Sequence, residues 1–513
     1  MMIRNPVLRG FNPDPSIIRV DDDYYTVTST FEWWPGARLH HSKDLVNWTD
    51  MGGILDEQRL IDLKGRAPSC GVWACDLSYD GSRFYLAYTD VRTKKWFYNT
   101  HNYLIYADDI KGKWSDPIYL NSVGFDPSIF HDDDGRKYLI NMLNGFKGIT
   151  VCELDPQTLK PTGESVKIFD GTQIGCTEGP HIYKKDGFYY LITAEGGTGY
   201  DHCVSVARSE NLFGPYEVHP NNPILTSDVE GTLKRCGHGD LVTTKEGRTF
   251  IAFLCSRPID GNRSFMGRET AINEIIWRDG WPYLKGGRNH ALDSFDPIRS
   301  MKSEEKPERL FRDDFKDDLI DPVYSSPRWD YREFATLMHD GKGRRILRLE
   351  GRESLNSYFE VSLLAYRVRE SSFRAETRMR FIPECEEQTA GLCIIYDSLN
   401  FYLLSVGASQ DGEHVMRLTK SDNGVISILY SEPVILPDEG LDIYIRTVNG
   451  KSISFGYTLN GFCQNIEGSF DTSILNDEYC RGFTGTQVGM YVHDLTGSRA
   501  CADFDYFMVE DET

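Results

Sequence analysis

The side chains best suited to chemistry in this sequence stand at one repeated place. Asp14, Asp126, Glu178 and His238 each precede a short apolar run, a Gly/Asp turn and an aromatic-rich run. The copies read Asn12-Pro13-Asp14-Pro15-Ser16-Ile17-Ile18, Phe125-Asp126-Pro127-Ser128-Ile129, Thr177-Glu178-Gly179-Pro180-His181 and Gly237-His238-Gly239-Asp240-Leu241. A weaker copy, Trp73-Ala74-Cys75-Asp76-Leu77, has alanine at that place. Two carboxylates facing one another across a pocket are the equipment for cleaving a glycosidic bond. One must keep its proton to give to the leaving oxygen, and the other must be ionised to activate water or attack carbon. A third carboxylate beside the acid disfavours its ionisation and lifts its pKa towards neutrality. A nearby histidine could bond one of the three or take a metal-bound water.

These residues need elements that bring them together. Each copy reads as a β-hairpin with one special residue before its first strand. Successive special residues are 60, 52, 52 and 60 positions apart. Five strand-rich copies at that period predict repeat architecture, with four-stranded propeller blades around a channel. In a propeller the same position of every blade points at one axis, so the special residues would meet there. Asp-Pro and Glu-Gly-Pro are also plain turn chemistry, but three carboxylates at equivalent places favour the convergent reading. The repeats occupy residues 1–300. Residues 301–310 are charged and poor in large apolar side chains, as a linker is. Over 311–513 alternating runs such as 345–349, 372–378, 401–405, 441–446 and 488–492 predict a β-sandwich. The fold class expected is therefore all-β: a five-bladed β-propeller followed by a β-sandwich.

Composition narrows the partners. The 513 residues exceed one core, and the net charge of −21 argues against nucleic acid and against an anionic membrane surface. No run of about 18 apolar residues is present to span a membrane. The N-terminus lacks an apolar h-region, so no secretory signal is read and a cytoplasmic location is expected. The 12 cysteines show no CxxC pair or zinc spacing and read as reduced, mostly buried thiols. Phe31-Glu32-Trp33-Trp34-Pro35-Gly36 reads as an exposed-looking aromatic loop, or else a plug between blades. Gly196-Gly197-Thr198-Gly199 is a loop that fits no phosphate-binding pattern. Arg268 could bond sugar hydroxyls, hold a carboxylate, or sit in a surface salt bridge.

Taken together the motifs resemble glycoside hydrolase family 43, in its β-xylosidase and α-L-arabinofuranosidase branch. The resemblance rests on the copies above and on Gly71-Val72-Trp73-Ala74, Ala194-Glu195-Gly196-Gly197-Thr198 and Gly267-Arg268-Glu269-Thr270. In the C-terminal part it rests on Gly351-Arg352-Glu353-Ser354-Leu355 and Ala390-Gly391-Leu392, which resemble the family's concanavalin-like sandwich. It implies an inverting enzyme with Asp14 as general base, Glu178 as general acid and Asp126 tuning the acid. Inversion leaves room for water, so Asp14 and Glu178 should stand about 6.5–9.5 Å apart. Phe31 and Trp73 resemble walls of the sugar pocket, Arg268 its sugar-binding arginine, and Phe483 of Gly482-Phe483-Thr484-Gly485 the side chain that the sandwich adds. His238 resembles a histidine that in some relatives joins a calcium site in the channel. No cofactor is required by this reading, beyond such a structural Ca2+. The expected partner is a short xylo-oligosaccharide, attacked at its non-reducing end. An arabinofuranosidase, a dual enzyme and a non-catalytic sugar-binding propeller are the alternatives. A dimer or tetramer is expected from the resemblance. Cys75-Asp76 departs from the family pattern and puts a fourth carboxylate near the axis, either as a supporting acceptor or as a determinant of which sugar fits.

Overall fold

A computed structural model describes residues 3–94, 98–296, 309–459 and 461–512. Most of the expected linker, 301–308, lies outside the described residues.

Each repeat becomes one antiparallel four-stranded meander. The five sheets begin with strands Ser16–Val20, Gly71–Tyr79, Ser128–His131, Glu178–Lys185 and Lys234–Thr243. These first strands touch their neighbours in a closed cycle, the fifth reaching back to the first. A closed cycle of innermost strands is a five-bladed propeller around a channel. The fourth blade carries an additional short strand, Leu225–Thr226. At the other end of the first domain, Ile3–Arg4 pairs with Ser294–Phe295, so the two ends of the propeller chain are joined.

Every seam between blades carries a polar bridge between two inner strands. The Leu77 N–H donates to Ser16 Oγ (3.0 Å), the Ile129 N–H to Asp76 (2.9 Å) and Ser128 Oγ to the Pro180 carbonyl (2.5 Å). The Leu241 N–H donates to the Tyr183 hydroxyl (2.8 Å), and the Ile17 N–H closes the ring on Asp240 (2.8 Å). Backbone groups at the crowded hub are thus satisfied without water.

The second domain is two sheets. The outer has nine strands; the inner has six, in the order Leu363–Arg367, Gln487–Asp494, Gln388–Asp397, Asn400–Ala408, His414–Asp422, Val425–Pro433. Gln388–Asp397 and Asn400–Ala408 are buried along their whole length. Alternation explains why. Ala390, Leu392, Ile394 and Tyr396 point into the core between the two sheets. Cys393 and Ile395, with Phe401 and Leu403, point the other way into a core shared with Phe11, Phe31 and Trp33 of the propeller. The inner sheet is therefore the middle layer of the molecule.

Of the two readings of 31–36, the exposed loop fails and the buried plug holds in part, since the stretch plugs the seam between domains. Phe31, Trp33 and Trp34 are buried, and Trp33–Trp34 pairs with Ser326–Pro327 from the second domain. These rings weld the domains together. Continuous helices are almost absent among the described residues: one four-residue turn, Asp477–Cys480, and one 3-10 turn, Tyr331–Glu333.

Candidate active site

Asp14, Ala74, Asp126 and His238 all adopt left-handed backbone, with φ of 52°, 22°, 52° and 49°. Non-glycine residues avoid that region, at a cost of roughly 1–3 kcal/mol each. In the fourth repeat the turn falls one residue later, on Gly179 (φ 54°). There a Cβ would stand 2.9 Å from His238 Nε2. Register shifts interrupt the inner strands at the same place, between Trp73 and Asp76, Glu178 and His181, and Gly237 and Gly239. The bulge re-aims one side chain per blade towards the end of the channel.

One cup at that end is lined by Asp14, Asp126, Glu178, Phe31, Trp73, Arg268, His238 and Phe483, so the structure brings all eight candidate residues together. Ala74, Phe125, Thr198, His202 and Leu254 complete the lining. His202 escaped the sequence reading because it sits on a loop with no counterpart in other blades. It is fully buried and neither ring nitrogen has a side-chain or backbone partner within bonding distance.

The three carboxyls are held differently. Asp14 accepts from Ser29 Oγ (2.7 Å) and from Arg268 Nη1 (3.0 Å), with His238 Nδ1 3.8 Å away. Burial pushes its pKa up, but the Arg268 charge, His238 and the Ser29 bond outweigh burial and leave it below the usual carboxylate range. Asp126 accepts the Gly179 N–H (2.9 Å). Burial and the Asp14 charge lift it to about 7. Glu178 receives no hydrogen bond among the described residues. Burial, then the charges of Asp126 and Asp14, hold its pKa well above the ordinary value. Asp126 and Glu178 share their titration, and the N–H bond to Asp126 favours leaving the proton on Glu178.

Supporting residues fix this geometry. Glu195 is fully buried and accepts from Thr172 N–H (2.7 Å), Thr177 Oγ1 (2.7 Å) and Ser205 Oγ (2.7 Å). It thereby pins the segment leading into Glu178. Glu32 accepts the Ser69 N–H (2.9 Å); Ser69 in turn accepts from the Phe483 N–H (3.0 Å) and from Trp73 Nε1 (3.0 Å). Arg268 is 2% exposed, which excludes a surface salt bridge. Its Nη2 donates to the Phe483 carbonyl (3.1 Å) while its Nε has no partner.

Phe31, Trp73 and Phe483 form a mutually packed wall, with centroids 5.6–6.0 Å apart. Phe483 comes from the sandwich, and its loop lies against the propeller so closely that a Cβ on Gly267 would stand 2.0 Å from the Thr484 carbonyl. The cup is thus closed on one side by the second domain.

Asp76 does not line the cup. It lies deeper in the channel with Asp240 and His181, whose Nδ1 is 3.4 Å from Asp76 and 4.0 Å from Asp240. Among the described residues this trio is the group whose ligand atoms lie within 4.8 Å of one another; His238 is not part of it. Its carboxylates already serve as acceptors at two blade seams, and Asp240 also accepts from the Tyr183 hydroxyl. Burial would lower the His181 pKa, yet Asp240 and Asp76 raise it to about 9, so a cationic imidazole stands between the two carboxylates.

Comparison with known proteins agrees with this architecture. Residues 3–282 match the model for glycosyl hydrolases family 43, and residues 312–510 the model for the β-xylosidase C-terminal concanavalin A-like domain. The xylosidase/arabinosidase 43B of Humicola insolens is 44% identical over 99% of this chain and 97% of its own length. A β-xylosidase of Bacillus subtilis is 40% identical over the whole of both chains. The crystal structure of a xylan β-1,4-xylosidase from Bacillus halodurans superposes with a TM-score of 0.94 at 40% identity, covering 99% of this chain and 100% of that one. The chain belongs to glycoside hydrolase family 43.

Proposed function

We propose that this glycoside hydrolase releases xylose from the non-reducing end of short xylo-oligosaccharides, with inversion. The observation that carries the reading is the unequal treatment of two carboxyls in one cup: Asp14 bonded to Arg268 and Ser29, Glu178 unbonded beside Asp126. Glu178 gives its proton to the leaving oxygen as the glycosidic bond breaks. Asp14 takes a proton from the water that attacks the anomeric carbon from the opposite face. Asp126 keeps Glu178 protonated through its charge, and Arg268 holds Asp14 ionised. The Phe31–Trp73–Phe483 wall and the loop of the sandwich leave an end-closed cup, which accepts a chain end and not a chain middle.

A second reading, arabinofuranosidase or dual activity, is favoured by the printed name of the Humicola relative, which carries both. A Ca2+ in the channel would find oxygen ligands on Asp76 and Asp240, and would supply the positive charge between them in place of a protonated His181. The free state of all 12 cysteines supports action in a reducing compartment, on imported oligomers.

Incubation with xylobiose and with an aryl arabinofuranoside, following the first-formed product by NMR, tests this. The expected result is xylose from xylobiose, appearing first as the anomer opposite to that of the bond cut. Cleavage of long arabinan with neither small substrate touched overturns it.

A further inference from the structure

One carboxylate of the sandwich reaches two walls of the cup at once. Asp477 opens the four-residue turn Asp477–Cys480 and is 3% exposed. Its Oδ2 accepts from Arg235 Nη1 (2.8 Å) and its Oδ1 from the Tyr396 hydroxyl (2.7 Å). Both donors are buried too, so the three groups form a charge-assisted network shut away from water.

Each donor carries the constraint on to the cup. Arg235 stands near the start of the fifth blade's inner strand, and its Nε donates to the Thr198 carbonyl at 2.8 Å. Thr198 lines the cup within the run Gly196-Gly197-Thr198-Gly199, where Gly196 and Gly197 have φ of 80° and 67°. Glycines give a loop little preference for any one shape, so a bond to its middle carbonyl decides where it stands. On the other side, the Tyr396 hydroxyl accepts the Thr484 N–H (3.2 Å), and the Asp477 carbonyl accepts the Gly482 N–H (3.1 Å). Phe483, the ring that the sandwich adds to the wall, is thus held on both flanks from Asp477. Glu478, the next residue of the turn, accepts from the Ser264 N–H (2.7 Å) and Oγ (2.9 Å), four residues before Arg268.

The arrangement is held, not relaxed. Arg235 and Arg481 both adopt left-handed backbone, with φ of 56° and 51°, a conformation that persists where surrounding contacts over-determine it. A Cβ on Gly482 would stand 2.4 Å from the Tyr396 hydroxyl. Asp477 itself does not line the cup, so any effect on a bound sugar passes through its neighbours.

We propose that Asp477 is a positioning residue supplied by the second domain: its carboxylate locks the Thr198 loop and the Phe483 segment against each other and so sets the fit of the cup to one sugar ring. The inference rests on the cup being the sugar site of the reading above. Losing this tie removes grip on the bound sugar in ground state and transition state alike, which raises KM and spares kcat.

Steady-state kinetics of the full-length protein test this, on whichever of xylobiose and an aryl arabinofuranoside the parent cuts. Asp477→Asn, which keeps the shape and removes the charge, should raise KM about tenfold or more, the worth of one charge-assisted bond, with kcat within about twofold and both limbs of the pH profile in place. Tyr396→Phe, which takes away the Thr484 acceptor, should raise KM about 2–10-fold; should Asp477→Asn not fold, this variant decides. Combined, the two should raise KM by less than the product of their separate effects, because both act through one carboxylate. A parent that cuts the arabinofuranoside alone ends the choice of xylose and leaves this test intact. The proposal is overturned if the variants lower Tm and keep the parent's KM, which is a purely structural role, or if their KM effects multiply. It is overturned too if the pH limbs move, which would mean that the Asp477 charge acts on Asp14 through Arg268.

Discussion

Two acidic clusters lie on the axis of one propeller, and they are built to opposite ends. The deeper, Asp76–His181–Asp240, spends its carboxylates on the Ile129 and Ile17 N–H groups of neighbouring blades and encloses a cationic imidazole. One cation stands between its two carboxylates, and its acceptors are used. The upper, Asp14–Asp126–Glu178, has one guanidinium for three carboxyls and leaves Glu178 without a partner. The first is a rivet; the second keeps one carboxyl, Glu178, unbonded and open to a substrate. Burial is common to both, so what separates structure from chemistry here is whether buried polar groups are satisfied.

That contrast predicts different consequences for similar substitutions. Asp14→Asn should lower kcat by roughly 10²–10⁴-fold on every substrate, with Tm little changed, because it removes the base and keeps the shape. His181→Gln or Asp76→Asn should do the reverse. Breaking a buried ion pair costs about 3–5 kcal/mol, read as a lower midpoint in denaturant, while the folded fraction retains its kcat. A loss of activity without a loss of stability in those variants would erase the distinction. Phe483→Ala should reduce kcat/KM about 10–100-fold, the effect of about 1.5–3 kcal/mol of lost aromatic burial on the bound sugar.

The two clusters should also part company with pH. The cup requires Asp14 ionised and Glu178 protonated, so kcat/KM should be bell-shaped. Its alkaline limb reports the raised titration of the Asp126–Glu178 pair. Asp126→Asn should move that limb to lower pH, since removing the neighbouring charge lowers the acid's pKa. For the rivet, the folded His181 pKa of about 9 exceeds its ordinary 6.5. The stability it contributes is therefore full below pH 6.5 and lost as pH rises through about 9. Unfolding midpoints measured across that window should fall in the parent and stay flatter in His181→Gln.

The cup was legible in the sequence because its residues occupy the same place in successive repeats, and a propeller turns equal positions into one location. The seam bridges were written there too, two residues further on, where Ser16, Asp76, Ser128 and Asp240 recur, but a motif read for its special residue hides its neighbours. Asp76 taken alone left two readings open, a supporting acceptor or a determinant of which sugar fits; beside Asp240 it is an acceptor that bridges blades. His202 carries no repeat signal, since it sits on a loop of one blade. The exposed look of Phe31–Gly36 failed for another reason: the second domain that buries Trp33 and Trp34 lies nearly three hundred residues away along the chain.

The division of labour between Glu178 and Asp14 is tested most directly by leaving-group dependence. With Glu178→Ala, kcat/KM should collapse on xylobiose yet be largely retained on a dinitrophenyl xyloside, whose leaving group needs no proton, whereas Asp14→Ala should lose both. Equal losses on the two substrates in Glu178→Ala would contradict the account.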